Sequence, residues 1–167
     1  MGRVRTLLIA VVGAASLLIG GTSVASADEG STLFSFHEMV GIHKAQTGLV
    51  NHRGIIGGGL PWVISTGTGE LDRNGDLHVV VTGLVIPVAP FKGTNPSPQF
   101  AAIVSCVTTD HAIVNLMTAP VPATTTGDAT IDATVALPHP CNHPIVFVTS
   151  AGGAWFARSV REDEEDD

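Results

Sequence analysis

The chain is short of positive charge: eight Lys and Arg stand against fifteen Asp and Glu in 167 residues, and two of the eight, Arg3 and Arg5, sit at the extreme N-terminus. Nucleic-acid binding needs concentrated cations to neutralise phosphates, so that partner class is set aside. Long apolar runs are equally scarce. The one continuous run, Leu7 to about Gly20, is roughly fourteen residues, the length of a signal-peptide core and below the ~20 that cross a bilayer. Every later apolar stretch is broken by Gly, Pro or Thr, so no integral membrane segment is expected once the N-terminus is removed. Arg3 and Arg5 before the run and Ala25-Ser26-Ala27 after it predict a signal peptide over residues 1–27, cleaved after Ala27. No cysteine follows the run, which excludes lipid attachment there.

Cysteine is nearly absent. Cys106 and Cys141 are the only two, and in an exported chain an even pair reads as a disulfide. Closing a loop of about 35 residues is worth on the order of 3–4 kcal/mol in the chain-entropy account. Helix signals are few as well. FHEMVGIHK, Phe36–Lys44, has room for a turn or two but is interrupted by Gly41, so residues 28–52 are read as an N-terminal arm or first strand. There is no internal repeat and no GxSxG elbow. Carboxylate pairs are thin: Glu70, Asp72 and Asp76 surround one turn and Asp132 stands apart, which makes a paired-carboxylate glycosidase improbable.

What is present is β texture. From Pro61 onward Val, Ile and Thr dominate, and their stiff side chains suit a pleated surface. Gly and Pro punctuate the chain every eight to twelve residues. Strands are predicted at Trp62–Leu71, Asp76–Pro87, Gln99–Thr108, Ala112–Thr118, Ala129–Leu137, Ile145–Ser150 and Ala154–Ser159. In ATIDATVAL, Ala129, Ile131, Ala133, Val135 and Leu137 share one face, and Thr130, Asp132 and Thr134 share the wet one. IVFV, Ile145–Val148, is apolar on both faces and suits a central strand. In ELDRNGDLHVVV, Asn74-Gly75 predicts a tight type I′ hairpin. The Thr- and Pro-rich stretches Ala119–Asp128 and Pro90–Pro98 are read as loops. The fold class is therefore all-β: a single antiparallel sandwich, Ig-like or jelly-roll-like, of about seven or eight strands over residues 53–160. One disulfide is expected to tie its two layers. Residues 161–167, dominated by EDEEDD, self-repel and are expected to form a disordered acidic tail.

The densest chemistry lies in PHPCNHP, Pro138–Pro144. Thiolate and imidazole together favour copper or zinc, but the prolines forbid a regular helix. In an extended chain His139 and His143 are about 13 Å apart, too far to share an ion with Cys141 unless the chain bends. The simpler reading pairs Cys141 with Cys106 and leaves both histidines in solvent. A histidine-only site would draw on His37, His43, His139 and His143. Asp72, Asn74 and Asp76 alternate as in a calcium loop, yet Leu77 stands where such a loop needs glycine and Gly83 where it needs glutamate. GGGLPW and SAGGAWF set glycines beside Trp62 and Trp155, which either line a ligand groove or mark turns next to core aromatics.

Several segments together carry a resemblance: GLPWVI (Gly59–Ile64), VTGLVI (Val81–Ile86), GTNP (Gly93–Pro96), VSC (Val104–Cys106), PIVFVTS (Pro144–Ser150) and GGAWF (Gly152–Phe156). Over about Arg53–Ala157 the chain resembles a group of small exported bacterial β-rich proteins of unknown function. The resemblance implies export, one compact β-rich domain and a Cys–Cys bridge, and it carries over no functional residue. The resulting expectation is a non-catalytic protein, secreted, extracellular or associated with the envelope, with no cofactor and an extracellular or envelope partner. The alternatives are a histidine-based copper or zinc protein and a small secreted hydrolase.

Overall fold

The alternating Val/Ile/Thr segments form strands in the computed structural model, which describes residues 31–161. The predicted signal peptide and the acidic run Glu162–Asp167 lie outside the described residues. The strands are β1 (Thr32–Phe36), β2 (Met39–Gly41), β3 (Thr66–Asp72), β4 (Asp76–Thr82), β5 (Gln99–Val107), β6 (Ile113–Met117), β7 (Val121–Pro122), β8 (Ala129–Thr134), β9 (Asn142–Ser150) and β10 (Trp155–Ser159). They build two antiparallel sheets packed together: a four-stranded one ordered β1-β3-β4-β8 and a six-stranded one ordered β2-β10-β9-β5-β6, with β7 also paired to β5. An all-β sandwich with one disulfide is the architecture.

All seven expected strands are present, several trimmed at their ends. Trp62–Ser65 lies outside the ladder, although Val63 still bridges Val85. The additional strands are β1, β2 and the two-residue β7, which falls inside the stretch expected to be loop. β1 and β2 give the segment before Arg53 a definite role, because each is an edge of a different sheet. Gly41 ends β2 where a Cβ would run into the Trp62 carbonyl oxygen. The only helical piece nearby is the 3-10 turn Lys44–Gln46.

The core follows the period-two pattern. From the four-stranded sheet Leu71, Leu77, Val79, Val81 and Ile131 point inward and are buried. Phe100, Val104, Val146, Val148 and Phe156 belong to the same buried cluster. β9 lies between β10 and β5, and Ile145–Val148 are all buried, as a central strand requires. On β8, Ile131 is buried between exposed Thr130 and Asp132.

Two local expectations are corrected. The β3–β4 connection is Arg73-Asn74-Gly75, not a two-residue type I′ turn; Gly75 has φ 93° and Asn74 is not in the positive-φ region. The Asp72 carboxylate decides this. Its Oδ1 accepts from Asn74 N at 2.8 Å and Asp76 N at 2.9 Å, and Gly75 N donates to Asp72 O at 3.1 Å. A three-residue loop ending in a left-handed glycine satisfies all three donors. The disulfide ties the segment before the Ile145–Val148 run to the Val104–Cys106 strand, as expected, but within one layer. Cys106 near the end of β5 bonds Cys141 just before β9, with Cα atoms 4.9 Å apart. It joins neighbouring strands of one sheet beside a register shift between Ser105 and Val107, and does not tie the two layers.

Candidate functional site

The exposed face of the four-stranded sheet carries the most concentrated polar chemistry. Register sets Glu70 on β3 opposite His78 on β4, and His78 opposite Asp132 on β8. Three consecutive strands thus present three ionisable side chains in one row. His78 Nδ1 and Asp132 Oδ1 are 2.5 Å apart, and both side chains are more than half exposed. The ring nitrogen that faces the carboxylate, Nδ1, is the one placed to donate to it. One row further, Thr134 donates to Asp76 Oδ1 at 2.6 Å. Thr32 on β1 donates to Glu70 Oε1. Glu70, Asp76, His78, Asp132 and Thr134 line an open groove of about 530 Å³ together with Ser31, Asp72 and Leu77.

The groove walls hold Glu70, Asp72, Asp76 and Asp132 but no Lys or Arg. Hydrogen bonds from the Asp76, Asn74 and Gly75 backbones and the Asn74 amide hold the Asp72 carboxyl below its usual range. The groove is therefore built to meet cationic groups. It is not arranged to activate a hydroxyl nucleophile at the threonines, because that requires the hydroxyl to donate to the imidazole. The Thr32 and Thr134 hydroxyls donate to carboxylates instead. Asp132 stood apart in the sequence because nothing local says that β8 docks against β4. His78 and Asp132 lie fifty-four positions apart.

PHPCNHP resolves into a disulfide anchor. The His139–Pro140 bond is cis, His143 has φ 46°, and Asn142 opens β9. His139 is exposed and lines a small pocket of about 160 Å³ with Leu33 and Arg73. His143 Nδ1 lies 3.0 Å from Arg161 Nη1. His43 precedes the 3-10 turn, and its backbone N–H donates to Gln46 Oε1 at 3.4 Å. His37, also exposed, lies in the turn between β1 and β2. Among the described residues no three His, Cys, Asp or Glu side chains gather as metal ligands would. Asp72, Asn74 and Asp76 are accounted for by the turn they cap.

Trp62 and Trp155 are core residues and not groove walls, being only 5% and 2% exposed. Trp62 stacks on Phe156 at 4.0 Å and meets Phe100 edge-on at 6.2 Å. Gly58 permits this, since a Cβ there would press on both the Phe156 ring and the Trp62 indole. Trp155 packs edge-on to Phe147 at 5.8 Å, and its Nε1 is buried without a hydrogen-bond partner.

Sequence reasoning gave no role to Arg53. Its side chain is buried. Nη2 donates to the His143 carbonyl at 2.7 Å and Nη1 lies 3.5 Å from Ser105 Oγ. The Arg53 carbonyl accepts from Asn115 Nδ2 at 2.8 Å. These bonds pin the tip of a small hairpin over residues 48–58 to the outer face of the six-stranded sheet. Asn51 caps the tip through bonds from Arg53 N and Ile55 N to its Oδ1. No family model, no curated protein and no solved structure matches the chain.

Proposed function

We propose that the chain is an exported, non-catalytic β-sandwich protein that works by binding at the cell envelope or outside the cell. It belongs, on this reading, with the small exported bacterial β-rich proteins its segments resemble. The observation that carries the proposal is the Cys106–Cys141 disulfide. Such bonds persist in oxidising compartments and are rare where thiol reductants act. Among the described residues no helix is long and apolar enough to cross a membrane, which fits release of the chain after export. The carboxylate-lined groove is the recognition surface, and the partner chemistry that matches it is an amine or guanidinium group.

Cell fractionation with intact-mass measurement tests this. The expected species lies outside the cytoplasm, begins at Asp28 and is lighter than the reduced chain by two hydrogens. A cytoplasmic species with alkylatable thiols ends the proposal. A second reading, a small secreted hydrolase, is favoured by one feature, the His78–Asp132 pair in the groove. Labelling by a serine-directed probe that disappears in His78→Ala would establish it, and absence of labelling in both proteins removes it.

A further inference from the structure

Seven large hydrophobic side chains are exposed among the described residues. Five of them lie on the outer side of the six-stranded sheet: Leu49, Val50 and Ile56 on the pinned hairpin, and Ile113 and Met117 on β6. Leu49, Val50 and Ile56 are 61%, 65% and 50% exposed. They are not loose. Gly48 N donates to Gly58 O at 3.1 Å, Gly57 N to Leu49 O at 2.8 Å and Asn51 N to Ile55 O at 3.0 Å. Val50 and Ile56 are bridge partners, so their side chains lie next to each other. Consecutive residues of an extended chain point to opposite sides. Leu49 and Val50 are nevertheless both mostly exposed, so both sides of this stem are open to solvent. Arg53 and Asn115 fix its tip.

Charge is distributed around this hairpin in a definite way. Residues 39–69 contain no Asp or Glu, in a chain with fifteen. They do contain Lys44, exposed at the base of the hairpin. Glu70, Asp72, Asp76 and Asp132 line the groove on the opposite sheet, about one sheet spacing of ~10 Å further off.

From this arrangement we propose that the 48–58 hairpin is a membrane-surface anchor. Leu49, Val50 and Ile56 enter the boundary between headgroups and acyl chains, and Lys44 meets lipid phosphate. Fixed backbone bonds present the three aliphatic groups at no ordering cost. The acid-free stretch brings no carboxylate to an anionic surface, and the groove is left facing water. Aliphatic groups open to solvent on both sides of a stem suit a deformable lipid phase better than the fixed face of a second copy of this chain. The binding is shallow and reversible, in the range of an interfacial anchor and not of a spanning segment. The inference deepens the envelope reading above and rests on it.

Vesicle flotation of the disulfide-bonded chain from Asp28 onward is the test, using phosphatidylcholine alone and phosphatidylcholine mixed with phosphatidylglycerol. The wild type is expected to float with both and better with the anionic mixture. The triple variant Leu49→Ser/Val50→Ser/Ile56→Ser is expected to bind at least about tenfold more weakly. Lys44→Glu is expected to lose the preference for anionic lipid. Far-UV circular dichroism and resistance to alkylation check that each variant is folded. The proposal is overturned if the wild type floats with neither vesicle, or if the triple variant floats as well as the wild type. It is also overturned if sedimentation shows a dimer that the triple substitution dissolves, because the occupant is then a second copy. Fractionation keeps the two readings apart: an exported protein that ignores vesicles sinks this inference alone, and a cytoplasmic protein sinks the export reading and this inference with it.

Discussion

Arg53 shows how one side chain can hold a surface feature in place. A guanidinium is costly to bury unless its donors are met. Here they meet the His143 carbonyl and Ser105 Oγ, while the backbone carbonyl takes the Asn115 amide. Hydrogen bonds to a charged group contribute about 1.5–3 kcal/mol when buried. Arg53→Met should therefore lower the urea-unfolding free energy by roughly that amount. It should also raise hydrogen exchange at the Gly57 and Asn51 amides, with the β5–β9 amides little changed. Equal exchange at the hairpin amides in both proteins would show that the clamp does not hold the hairpin. In the sequence Arg53 is one basic residue among polar neighbours. Its burial depends on β5, β6 and the start of β9 arriving beneath it, fifty or more positions downstream.

Individual elements are stabilised at their turns by hydrogen-bonded carboxylates. The Asp72 carboxyl is held below its usual range chiefly by the Asp76 backbone N–H, Asp110 by the Thr108 hydroxyl, and Asp128 by the Thr126 hydroxyl and then Gly83 N. A carboxyl whose folded-state pKa is depressed contributes stability above its ordinary value of about 3.9, and that stability is lost as pH falls through the lower folded value. The thermal midpoint should thus be level near neutrality and decline below about pH 4. Asp72→Asn/Asp128→Asn should show a shallower acid decline, measured by scanning calorimetry across the acid range. A decline of unchanged steepness would mean that these two turns do not supply it. Element type was readable from period where one face is wet, as in ATIDATVAL, and from an unbroken apolar run in IVFV. A first strand before Arg53 was left open against an irregular arm, and the second strand there and β7 were not readable, because strands of two to five residues are held by their neighbours more than by their own pattern. The Asn74-Gly75 turn was located correctly but its length was not, since Asp72 competes for the backbone donors.

Across the whole molecule, the disulfide and the two sheets do different work. The bridge fastens β5 to β9 within one layer, while cohesion between layers is apolar, with Leu71, Val79, Val81 and Ile131 in one cluster with Phe100, Val104, Val146 and Phe156. Cys106→Ala/Cys141→Ala should then cost on the order of 3–4 kcal/mol for a loop closed over 35 residues, without changing the fold. Denaturant titration gives the first quantity and far-UV circular dichroism checks the second. Loss of all β signal at neutral pH without denaturant would mean that the apolar interior cannot hold the sandwich unaided. The same layering separates two surfaces of opposite character, a carboxylate groove on one side and a rigid aliphatic hairpin on the other.

Composition and period determined the class by themselves: alternating β-branched residues with few helix signals bury an apolar face as sheet against sheet, and the two cysteines pair with each other. Which strands become neighbours was decided by the tertiary structure. Docking β8 on β4 joins His78 to Asp132, docking β9 on β5 turns the expected inter-layer tie into an intra-sheet one, and the arrival of both under Arg53 fixes an aliphatic hairpin on the sheet. Strand order depends on contacts between residues far apart in the chain, and local alternation, which records only the buried face, contains no information about the strand that will lie alongside.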